Sequence, residues 1–105
     1  MKLIYISGPY SIGDKVMNVL RAIEAGNQVL EIGAIPFIPH LCHFWDMMTP
    51  RPLEDWMKID YEMLKRCDGL LWLEGKSIGA WDEVGYALRH QIPVYRSIEE
   101  VKNAL

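Results

Sequence analysis

The chain has 105 residues, half of them hydrophobic, and a formal net charge of −3. That length fits one domain, residues 1–105, with a real core and no room for a second. No basic block is present, so duplex DNA or RNA, which needs clustered Lys and Arg, is not an expected partner. No apolar run approaches the roughly 20 residues of a membrane helix, and two cysteines without metal spacing, Cys42 and Cys67, fit a cytoplasmic protein with reduced thiols.

Leu3 to Ser7 is a short apolar run with Gly8-Pro9 behind it. It reads as a buried first strand and lacks the long apolar centre of a signal peptide. Residues 7–15 form a loop of small and polar residues, and Asp14 is placed to cap the next helix. Val16, Val19, Leu20 and Ile23 have helical spacing, and Gly33 is placed to end that helix. Residues 34–38 read as a second strand, with Pro36 favouring a sheet edge. His40 to Pro52 reads as irregular and is long for a connection in so small a domain; such loops are often functional. Leu53 to Arg66 reads as a helix whose apolar stripe runs Leu53, Met57, Leu64, and Asp60 falls on that stripe.

Residues 68–73 are nearly continuous in apolar side chains, as in a centre strand covered on both faces. A helix over 80–90, a strand over 92–95 and a last helix complete the chain. Ser97 caps that helix, with Glu100 as its capping-box partner. Strands alternating with helices predict an α/β fold of three layers, Rossmann- or flavodoxin-like, with a four- to five-stranded parallel sheet. Such sheets bind ligands at the carboxyl ends of their strands. Loops 7–15, 39–52, 74–79 and 96–97 lie there.

Five groups of residues could carry chemistry. In Gly75 to Ala87, G-K-S-I-G-A-W-D-E-V-G-Y-A, small residues lead from a strand into a helix and set Glu83 near its first turn. The helix dipole favours an ionised acid there. That suits a carboxylate nucleophile, and equally an acid that does no chemistry; Asp82 is read in the second way. Asp60 on an apolar face needs a partner or a cleft; Arg66 or Lys58 could pair with it. The first loop, Ser7-Gly8-Pro9-Tyr10-Ser11, lets backbone amides approach a phosphate or sugar, or is an ordinary turn. His40, His43 and Asp46 could be drawn as a metal site, but without a third strong ligand they read instead as the mouth of a pocket or as solvated groups. Phe44, Trp45 and Trp56 could stack on a nucleobase, or anchor the loop.

Tyr5-x-x-Gly8, Asp60 and Ser77-x-Gly79-x-x-x-Glu83-x-Gly85 together resemble the nucleoside 2-deoxyribosyltransferase superfamily, over roughly residues 3 to 97. The resemblance extends to its 2'-deoxynucleoside 5'-phosphate N-hydrolases and to small bacterial and phage members with a P-H-x-x-H-F-W-D-like loop. It implies cleavage of an N-glycosidic bond, by hydrolysis or by transfer to a second base, in a nucleoside or nucleoside monophosphate. Glu83 would be the nucleophile, Asp60 the proton-handling partner at the leaving base, and Tyr5 the group that positions Glu83. Ser77, Gly79 and Gly8 would contact sugar or phosphate, and the loop residues Pro9, Tyr10, His40 and Trp45 are the further candidates for substrate contact. The resemblance implies no metal and no cofactor, a small-molecule partner, and a homo-oligomer, dimer or larger, in which a neighbouring subunit closes the pocket. The phosphate-preferring members supply an arginine from the first loop; this chain has none there, which puts 5'-phosphate recognition in question. Trp81 is bulky enough to narrow the pocket. The competing expectation is a non-catalytic module that binds or senses a nucleotide. A structural domain whose pocket is filled by Trp45 or Trp81 is a third.

Overall fold

The computed structural model describes residues 1–75 and 77–105. Lys76, inside the glycine-rich stretch before the fourth helix, lies outside the described residues. In chain order the elements are β1 (Leu3–Ser7), α1 (Lys15–Glu31), β2 (Ile35–Phe37), a single 3-10 turn (Pro39–Leu41), α2 (Cys42–Met48), α3 (Leu53–Leu64), β3 (Gly69–Trp72), α4 (Ile78–Arg89), β4 (Val94–Tyr95) and α5 (Ile98–Ala104). The strands form one four-stranded sheet in the order β2-β1-β3-β4, with every pair parallel. Chain order reverses between β1 and β3, the place where such sheets bind ligands.

Alternation along the strands sorts side chains into two cores. Ile4, Ile6 and Leu71 face α1 and α5, and pack with Ala22, Ala25, Val29 and Val101. Tyr5 and Leu70 face α3 and α4, and pack with Leu64, Val84 and Ala87. The two faces make the fold a three-layer, flavodoxin-like α/β arrangement. Pro36 sits on edge strand β2, where its missing N–H breaks no ladder. β1 and β3 are the buried centre strands, and Asp68 ties them at their start by accepting from Leu3 N at 2.8 Å.

Local signals place the helices. The Asp14 carboxylate accepts from Val16 N and Met17 N at the start of α1, and Gly33 leaves its end at φ +92°, which glycine adopts without strain. Ser97 Oγ accepts from Glu100 N, and Glu100 Oε2 accepts from Arg96 N, at the start of α5.

Four expectations need correction. Residues 39–52 are not irregular: most of that stretch is the 3-10 turn and α2. Helix α4 begins at Ile78, with Ser77 as its cap, so Glu83 is its sixth residue and stands in the second turn, with Asp82 just before it. The dipole effect fades within the first turn, so it does not govern either acid. Leu53 and Met57 are exposed; only the second half of α3 meets the sheet, while its first half meets α2 through the indoles of Trp56 and Trp45, 5.1 Å apart. Strand β4 is two residues long rather than four.

Candidate active site

Successive residues of a strand point to opposite faces, so residues 5 and 7 of β1 point the same way. Both carry hydroxyls, and both are fully buried. Helix α4 lies over that face and lowers Glu83 onto them. The Tyr5 hydroxyl donates to Glu83 Oε2, and Ser7 Oγ donates to Glu83 Oε1 at 2.7 Å. Each oxygen of the carboxylate thus has its own donor. Burial, the largest effect, pushes the Glu83 carboxyl up, the two hydroxyls offset part of this, and the Asp82 charge adds to it, so the carboxyl stays above its ordinary range. Tyr5 is driven far up by burial and by the charges of Glu83 and Asp60, so it remains a phenol that donates.

Asp60 comes from α3, half-buried and inward-facing. No ion pair or hydrogen bond reaches it among the described residues: Arg66 pairs with Glu62 instead. Burial, and secondly the Glu83 charge, push its carboxyl up to about 7. The two acids, from separate helices, therefore feel each other. A carboxyl held near neutral pH can carry a proton at pH 7, which is what a general acid needs.

The glycine-rich loops meet beside these acids. Gly75 stands at φ +123°, and a Cβ there would lie 2.4 Å from Pro9 Cγ; only glycine lets the loop after β3 pass the loop after β1. A Cβ on Gly8 would touch Leu73 at 3.0 Å. Ser77 Oγ accepts from Ala80 N at 3.1 Å, so its lone pair caps α4 while its proton remains free to donate. A Cβ on Gly79 would make only an ordinary contact with Ser77 Oγ, at 3.8 Å.

The residues around α2 have more than one function. His40 is 5% exposed, and its Nε2–H donates to both Gly8 O (3.2 Å) and Pro9 O (3.1 Å). Burial lowers its basicity, the two carbonyls opposing, so the ring is a neutral tie that holds the first loop from behind. It is in the lining of neither cavity described below. Its Nδ1 is buried without a partner among the described residues. Tyr10 shares a hydrogen bond with His43 Nδ1. Asp46 accepts from Trp56 Nε1 and Arg51 N, anchoring the chain between α2 and α3. No group of three His, Cys, Asp or Glu side chains among the described residues is placed to hold a metal.

Two cavities lie against the first loop and α2. One of about 370 Å³ is lined by Pro36, Phe37, Ile38, Leu41, Cys42 and Trp45. The Cys42 thiol is raised by burial and by the Asp60 charge, so this apolar cavity borders the Asp60 side of the site. Trp45 forms part of its wall and leaves it open. The other, about 330 Å³, lies between the first loop and α1, with Asp14, Asn18 and Arg21 in its lining. Trp81, two residues before Glu83, is 68% exposed.

Sequence reasoning missed Ser7. Its signal was present: Tyr5 and Ser7 alternate with Ile4 and Ile6, and a polar side chain inside a buried strand needs a partner.

A solved 2-deoxyribosyltransferase from the psychrotolerant bacterium Bacillus psychrosaccharolyticus has the same fold, with a TM-score of 0.65 over 88% of this chain and 69% of its own, at 19% identity. A search of the curated proteins finds no match. No helix among the described residues is long and apolar enough to cross a membrane. Residues 2–97 match the model of the family described as Domain of unknown function (DUF7768), and the chain belongs to that family.

Proposed function

We propose that this protein cleaves the N-glycosidic bond of a nucleoside or nucleoside monophosphate through a covalent sugar ester on Glu83. The observation that carries the reading is the pair of acids: Glu83 with a hydroxyl donor on each oxygen, and Asp60 facing it with none and pushed up to about 7. Environments that separate two carboxyls in this way assign them different roles. Both carboxyls are raised by burial, but only Glu83 has donors that favour its anion, so Glu83 is assigned the attack and Asp60 the proton. The fold shared with a 2-deoxyribosyltransferase supports the same chemistry.

In the first step a Glu83 oxygen attacks the anomeric carbon. The electrons of the C–N bond leave with the base, and the Asp60 proton goes to the base as it departs. The charge that develops at the sugar is oxocarbenium-like and is stabilised by the carboxylate beneath it. In the second step water, or a second base, attacks the same carbon and gives its proton to the Asp60 carboxylate, while the ester C–O bond breaks and its electrons return to Glu83. Tyr5 holds the nucleophile. Gly8, Pro9, Tyr10, Ser77 and Gly79 bound the sugar and any 5'-substituent, and Trp45 offers a face to the base from the cavity next to Asp60. No cofactor is required.

A second copy of the chain completes the site in this reading. Neither cavity is lined by Glu83 or Asp60. Phe44, Met47 and Met48 on α2, and Leu53 on α3, are each more than 60% exposed. Contiguous apolar surface beyond a few hundred Å² marks an interaction site.

The test is release of free base from a panel of nucleosides and nucleoside monophosphates, followed by chromatography. Turnover that Glu83→Gln abolishes supports the enzyme. Tight binding without turnover, indifferent to Glu83→Gln, makes the chain a nucleotide sensor instead.

A further inference from the structure

We infer that Ser7 is a positioning residue for the Glu83 carboxylate, fixing its plane together with Tyr5 and holding it in the ionised form that can attack. The inference deepens the glycosidase reading and rests on it only for the word "attack"; the effect of Ser7 on Glu83 is measurable without any substrate.

The geometry is a two-point clamp. A carboxylate with a single donor can turn about its last torsion and present either oxygen. With Tyr5 on Oε2 and Ser7 on Oε1, turning breaks both bonds at once. The two donors are two residues apart on β1, a centre strand paired on both sides, so their spacing is set by the sheet and not by a loop. Ser7 is fully buried, and Glu83 is the only hydrogen-bond partner of its hydroxyl among the described residues. A buried hydroxyl without a partner is unfavourable, so the pair holds for both members.

The other groups facing Glu83 work against ionisation or leave it unchanged. Asp60 and Tyr61 come from α3, and Cys67 follows that helix; Asp82 is on α4 itself. Glu83 raises Asp60, and Asp82 raises Glu83. No cation pairs with Glu83 among the described residues, whose salt bridges are Arg51 with Asp55 and Glu62 with Lys65 and Arg66. Stabilisation of the anion thus falls to two neutral hydroxyls. A hydrogen bond to a charged group is worth enough to move a carboxyl by about one pH unit or more.

The experiment is a carbon-13 NMR titration of side-chain-labelled glutamate, with the Glu83 signal assigned by its loss in Glu83→Gln. In Ser7→Ala the Glu83 midpoint moves up by about one pH unit relative to the natural protein. Ser7→Thr, which keeps the hydroxyl, restores it. Ser7→Cys keeps the volume with a poorer donor and falls between, which serves if the alanine variant does not fold. An unchanged midpoint in Ser7→Ala or Ser7→Cys, or a threonine variant that titrates like alanine, overturns the inference. If the midpoints move as expected but no nucleoside is cleaved, the clamp stands and the glycosidase reading falls. If nucleosides are cleaved but the midpoints stay put, the reverse holds.

Discussion

Asp60→Asn should make the protein more stable above neutral pH and less active at once. In the folded chain the Asp60 carboxyl titrates at about 7, against its ordinary 3.8. At 1.36 kcal/mol per pH unit, that difference corresponds to about 4 kcal/mol as an upper bound. Part of it belongs to coupling with Glu83, so about 2–3 kcal/mol is expected from this residue alone. The sign follows from proton binding. Between about 4 and 7 the folded state holds a proton that the unfolded state has released, so stability is fullest below pH 4 and falls as pH rises through 7. Asparagine does not ionise, so the variant lacks this decline. His40 acts in the opposite sense: burial keeps it neutral in the folded state, so its contribution is lost as pH falls below the unfolded value near 6.5. It is common to both proteins and cancels in the difference. Urea unfolding at pH 5 and pH 8 measures the effect. The asparagine variant should gain at pH 8 relative to the natural chain and gain clearly less at pH 5, where only part of the decline has occurred, while base release falls by roughly 10²–10⁴-fold through loss of the proton donor. Parallel pH dependences for the two proteins would refute the argument, because Asp60 would then be an ordinary solvated acid.

Gly75→Ala places a Cβ 2.4 Å from Pro9 Cγ at φ +123°; a loss of about 2 kcal/mol, or roughly 10 °C in Tm, is expected by calorimetry, and an unchanged melting point would mean that the two loops do not pack as described. Phe44→Glu puts a charge on the exposed face of α2; sedimentation should show a shift from an assembly of two or more chains to a single one, and a natural protein that already sediments as one chain removes the proposed second copy.

Much of the fold was legible because the cues were local. Asp14, Gly33, Ser97 and Glu100 act within a few residues of where they stand, and alternation in β1 sorts its side chains without reference to the rest of the chain. The partnership of Tyr5, Asp60 and Glu83 was reachable only through the resemblance, since the three come from β1, α3 and α4 and nothing in their spacing brings them together. Helix α2 was hidden for a different reason. Leu41, Phe44, Trp45 and Met48 do recur at helical spacing, but Pro39, Pro50 and Pro52 flank them and the stripe faces solvent, so no core confirms it. The start of α4 was misplaced by two residues, enough to put Glu83 in the wrong turn and to credit the dipole with what Tyr5 and Ser7 do. His40 was read as a substrate contact because a histidine in a loop shows its chemistry and not its burial; the two carbonyls that engage it lie in a loop some thirty residues away.

A slow-turnover nucleoside analogue, fluorinated next to the anomeric carbon, allows the nucleophile to be seen directly. After quenching and digestion, mass spectrometry of the peptide spanning residue 83 should show the mass of one sugar added at Glu83, absent in Glu83→Gln. Base release at an undiminished rate from the glutamine variant, or a sugar attached to any other side chain, would contradict the account.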